Sequence, residues 1–168
     1  MGQIDDRKIH LSGLKSGVYT YRMQLDDAVL EGFKNEEIKG GKVDFDIKME
    51  KNERVTMLTI AFKGEVRTEC DRCLGEMMVA VSGDEVLNIR FSDSETSDDE
   101  ETVILPEGTA ELDLTPWLYE YVAVRIPLQH SHPDGECDPE MTRYIADGEQ
   151  EHADDYVDPR WEALKKLK

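Results

Sequence analysis

Two thiols three residues apart, Cys70 and Cys73, stand in the stretch CDRCLG. That spacing lets a tight turn aim both thiolates at one tetrahedral metal, and zinc is the usual occupant. Zinc needs two further ligands. Candidates lie together in HSHPDGEC, where His130, His132 and Cys137 offer an imidazole and a thiolate within eight residues. The expected site is Cys70, Cys73 and Cys137 with either His130 or His132; spacing alone leaves the choice of histidine open. Two other readings compete. A thioredoxin-like dithiol needs its first cysteine at a helix N-terminus within a βαβ unit; extended patterns flank this pair instead, which argues against redox catalysis. The plainer alternative is three cysteines serving as small buried hydrophobes. Other catalytic signatures (GxSxG, a P-loop, GxGxxG, HExxH) do not occur. With 38 acids in the chain, close carboxylate pairs arise by chance and mark nothing. His10 and His152 sit alone in polar stretches and read as surface residues. No enzymatic activity is expected.

The elements that must position these residues are mostly extended. VYTYRMQL at 18–25 alternates β-branched and aromatic residues with polar ones, a strand pattern. The stretch 26–41 has no clear period, and its Gly40-Gly41 pair reads as a turn. KVDFDIKME at 42–50 alternates cleanly, with Val43, Phe45, Ile47 and Met49 on one face. A hairpin connection is expected at Lys51-Asn52-Glu53, followed by a long strand over 54–70, kinked or bulged at Gly64. Residues 77–91 supply one or two more strands, and TVILPEGTAELDL at 102–114 two short extended pieces. At 115–127 the period changes to that of a helix. Thr115 is the expected N-cap, with Pro116 at the first helical position and Pro127 ending the run. A loop follows, then an acid-rich stretch, then DPRWEALKKLK. There Asp158 caps an expected terminal helix whose apolar face is Trp161, Leu164 and Leu167. The fold class is α+β. An antiparallel meander or partly closed barrel forms the core, with one short packed helix and a C-terminal helix. Residues 1–128 are expected to form a β-rich core domain including the CxxC turn. Residues 129–168 then hold the His/Cys loop, the acidic segment and the C-terminal helix, packed on or trailing that core.

Charge is unevenly spread. The 168 residues carry a formal net charge of -18. Residues 1–75 are almost neutral, with 13 Lys/Arg against 14 Asp/Glu, while residues 76–168 hold 7 against 24. Phosphate neutralisation by Lys and Arg supplies most non-specific nucleic-acid affinity, so the second half would repel an RNA backbone. Direct RNA contact is therefore expected only through the first half. A basic protein partner suits the second half. The segment 92–101, SDSETSDDEE, has six acids and no base and reads as a solvated loop. No run approaches the ~18–20 apolar residues that span a bilayer, and MGQIDDRKIHLSGL lacks the pattern of a secretory signal. Three cysteines with one CxxC pair also make a poor disulfide framework. Together these make the cytoplasm the expected location, with no membrane association; no small-molecule substrate is expected either.

Four motifs in order suggest a family: CDRCL at 70–74, LDL at 112–114 leading into a helix with Glu120, IPL at 126–128 before the His/Cys loop, and the terminal DPRWEALKKL. Together they resemble the YceD family of large-ribosomal-RNA-subunit accumulation proteins. The resemblance spans positions 70–168; earlier residues match only as a strand-rich segment. It departs where many members place several cysteines, since here His130 and His132 precede a single Cys137; histidine can replace cysteine on tetrahedral zinc. What the resemblance implies is a ribosome-biogenesis factor supporting synthesis, processing or stability of 23S-type RNA. Its expected partners are precursor RNA or ribosomal proteins. The rival expectation is an acidic chaperone-like protein for a basic client, with no direct action on RNA.

Overall fold

The computed structural model describes residues 7–53, 55–93 and 102–151, with side chains placed as far as 145 in the last helix. The chain divides into two compact units, one of residues 1–69 with 76–129, the other of residues 70–75 with 130–168. The expected helix over 158–168, His152 and most of the acidic stretch 92–101 fall outside the described residues.

The first unit contains seven strands and two helices among those residues: β1 (Lys8–His10), β2 (Gly17–Leu25), α1 (Asp27–Gly32), β3 (Gly40–Lys51), β4 (Val55–Glu69), β5 (Glu76–Phe91), β6 (Thr102–Leu105), β7 (Glu111–Asp113) and α2 (Thr115–Ala123). Five strands form one sheet in the order β2-β3-β4-β5-β6, antiparallel except for the parallel β5–β6 pair. β2 and β6 are its free edges, so the meander is observed and the barrel is not. Alternation explains the sheet: Val43, Phe45, Ile47 and Met49 of β3 are buried, as are Leu58, Ile60 and Phe62 of β4 and Val79, Val81, Leu87 and Ile89 of β5. Residues 77–91 make one strand, not two. β1 and β7 pair separately, matching buried Ile9 to buried Leu112.

Three local expectations change. Gly40-Gly41 opens β3 and makes no turn; both residues sit at positive φ, 144° and 137°, which favours glycine. The β3–β4 and β4–β5 ladders run through Gly64 in constant register, so β4 is not bulged there. Its glycine answers to close approach instead. α2 begins after Leu114, not Thr115, and ends at Ala123. The Asp113 carboxylate accepts the Thr115 amide proton at 2.9 Å, while Leu114, at the N-cap position, makes no side-chain cap hydrogen bond. Burial of Leu118, Tyr119 and Val122 then fixes α2 on the core.

The unpatterned stretch after β2 holds α1. Asp26 caps it by accepting from Val29 N at 3.1 Å, and Leu30 is fully buried. Arg67 of β4 anchors it from the sheet, donating to Glu31 at 3.1 Å and to the Lys39 carbonyl at 2.8 Å. Phe33, just past α1, stacks on Tyr119 of α2 with ring centroids 3.8 Å apart. No helix of the described residues is long and apolar enough to cross a membrane.

The second unit joins the short connection between β4 and β5 to the chain after residue 130. Its helix, α3 (Pro139–Glu151), begins within the expected loop and continues into the stretch read only as acid-rich. The missed signal was Asp138-Pro139, an N-cap followed by proline at the first helical position. Asp138 Oδ1 accepts from Glu140 N at 2.8 Å, and its carbonyl accepts from Thr142 N at 3.0 Å.

Candidate metal centre

Backbone hydrogen bonds build the cysteine turn before any side chain is considered. Cys70 N donates to the Gly75 carbonyl and Leu74 N to the Cys70 carbonyl, each at 2.8 Å. The turn thus closes on itself and sets both thiols on its inner side, buried. One residue bears the conformational cost. Leu74 sits at φ 58° with 64% of its surface exposed, a left-handed conformation that disfavours side chains with a Cβ. Leu74→Gly is therefore expected to stabilise the turn by up to about 1 kcal/mol, after the entropy cost of glycine, seen as a higher thermal midpoint. An unchanged or lower midpoint would show that the leucine side chain contributes more than its strain costs.

Residues 130–132 run alongside this turn. Asp71 N donates to the His130 carbonyl at 2.9 Å, and His130 N donates to Asp71 Oδ2 at 2.7 Å. This pairing fixes His130, whose Nδ1 lies 3.9 Å from the same carboxylate oxygen. Two residues on, His132 Nδ1 comes within 3.3 Å of Cys73 Sγ. Cys137, buried, brings its Sγ to 3.8 Å from Cys70 Sγ. The ligand atoms of Cys70, Cys73, His132 and Cys137 all lie within 4.8 Å of one another. His130 is not one of the four.

The geometry suits a small tetrahedral cation. Zn–S bonds of about 2.3 Å put two sulfurs of a tetrahedron about 3.8 Å apart, the separation found between Cys70 and Cys137. All three cysteines are free thiols. Their electrostatics fit metal-binding sulfur. Burial works against the Cys70 thiolate, yet hydrogen bonds from the backbone N–H groups of His132, Cys73 and Arg72 outweigh it and lower the thiol to about 6. The amides of Arg72 and His132 both lie 3.4 Å from this sulfur. Backbone N–H groups of Asp138 and Gly75 lower Cys73 likewise. Cys137 is pushed up, first by burial and then by the two neighbouring sulfurs. Three anionic sulfurs cannot share so small a space without a cation between them. Three cysteines and one histidine are a donor set that would complete four-coordinate zinc.

Residues 58–168, more than half of the chain, match the family model described as Large ribosomal RNA subunit accumulation protein YceD. No curated protein and no solved structure shows a match.

Proposed function

We propose that this chain, which belongs to the YceD family of large ribosomal RNA subunit accumulation proteins, supports accumulation of that RNA in the cytoplasm as a non-enzymatic binding factor. Its targets on this reading are precursor RNA of the 23S type or a ribosomal protein. The observation that carries the reading is the family match, which takes in most of β4, all of β5 and β6, and all four converging side chains, while β2 and β3 lie before it. Zinc held by Cys70, Cys73, His132 and Cys137 serves here as a structural tie, joining the turn at 70–75 to the loop at 130–137. A closed ligand set supports this, since catalytic zinc keeps a position open for water or substrate.

Depletion tests the role directly. Cells lacking the protein are expected to show a lowered ratio of mature large-subunit to small-subunit RNA on gels, with a matching deficit of large subunits on gradients. Unchanged ratios would sink the assembly role.

The surplus of acids after residue 76 favours a second reading, an acidic chaperone-like protein for a basic client. Pull-down with and without RNase separates the two. A ribosomal catch that disappears with RNase supports RNA engagement; one basic protein that survives RNase supports the client reading.

A further inference from the structure

Helix α3 carries an apolar stripe in an acidic setting. Met141, Tyr144 and Ile145 fall at i, i+3 and i+4, the spacing that sets side chains on one helix face. They are 37%, 75% and 46% exposed. No side chain described between 139 and 145 is buried, so the stripe is not the inner face of a packed helix. Single exposed apolar residues are ordinary, but three on one face mark an interaction surface.

The surroundings select the partner. Residues 134–151 contain seven acids and only one base, Arg143. An RNA backbone would be repelled there and would find no apolar surface to match the stripe. A basic protein segment gains twice, by covering apolar area and by setting Lys and Arg against the flanking carboxylates. We propose that α3 is a docking helix for a basic protein segment, which receives Met141, Tyr144 and Ile145 in an apolar groove. Helix-in-groove recognition commonly uses anchors at this spacing. The inference rests on the chain's role in large-subunit RNA accumulation, and it names the class of partner that role would engage.

The probe is the set of basic proteins extracted free of RNA from purified large ribosomal subunits, each labelled and titrated against the purified full chain. Fragments of 23S RNA form a second arm. At least one basic protein is expected to bind, more weakly as salt rises. Tyr144→Ser combined with Ile145→Ser is expected to weaken that binding about tenfold or more, with metal content and melting temperature unchanged. Wild-type binding by the double variant would overturn the proposal, as would binding to RNA alone or to neither probe. Residues 158–168 of the same chain are themselves basic and apolar. A chain ending at 157 that binds the probe tenfold more tightly would assign the stripe to that segment, and so also overturn the proposal. In cells the two readings separate. If depletion leaves large-subunit RNA unchanged, the accumulation role fails while the titration still decides docking. If depletion lowers that RNA but the double variant restores it fully, docking fails and the role stands.

Discussion

Cys137→Ser is expected to strip the protein of stoichiometric metal. Purified under reducing conditions, the wild-type chain should carry one zinc that survives dialysis. The variant's affinity should fall at least about 100-fold, since losing a partner that merely orients a ligand already costs 10–100-fold. Because such metal binding is also folding free energy, the loss should extend to the turn at 70–75 and the loop at 130–137, read as faster amide exchange in both. His132→Ala is expected to act in the same direction, whereas His130→Ala should leave the metal in place, its imidazole lying beside Asp71 and outside the cluster. A metal-free wild-type protein, or equal zinc loss from both histidine variants, would overturn the assignment. The pH dependence follows from Cys70. Its thiolate is favoured in the folded chain, so its stabilising effect is complete above the ordinary thiol range and lost as pH falls through about 6. Protons then compete with the metal, and zinc release on acidification should steepen near and below that point.

The histidine choice shows where sequence reasoning stops. The CxxC spacing marks Cys70 and Cys73 as candidate ligands because it describes a local turn, and Cys137 follows as the one remaining thiol. His130 and His132 are chemically equal and two residues apart, so only the register of their strand-like segment against Asp71 separates them. That register depends on hydrogen bonds from residues 59 positions away in the chain. The strands were legible for the opposite reason: each carries its alternation within itself, and burial of Val43, Phe45, Ile47 and Met49 follows from period alone. Helix α3 was hidden by composition. Its many acids read only as a charged stretch, while Asp138-Pro139 carries the same start signal as Asp158-Pro159. β1 has three residues, too few for a period to show, and it pairs with β7, one of the two short extended pieces expected over 102–114, only because the chain returns after about 100 residues.

Gly64→Ala tests the pairing of β3 with β4, and it should be among the most damaging single-methyl changes in the first unit. A Cβ built there lies 2.6 Å from Val43 Cα and closer still to the Lys42 carbonyl oxygen; one at Gly41 would lie 2.7 Å from Val66 Cα. The obstacle in each case is backbone of the neighbouring strand, so no rotamer change relieves it. β3 and β4 must separate or shift in register, and a one-residue slip would turn Phe45 and Ile47 toward solvent. Overpacking ordinarily costs about 1–3 kcal/mol; with backbone rather than a side chain as the obstacle, the expected loss is about 3 kcal/mol or more. Gly32→Ala is the matched control. It adds the same methyl at the end of α1, where nothing lies within 4 Å and φ is ordinary, and should stabilise by about 0.5–1 kcal/mol. Urea unfolding followed by circular dichroism reads both changes. If Gly64→Ala unfolds within 1 kcal/mol of wild type, the strands can part at this point without loss. The glycine pair would then not be what holds β3 against β4.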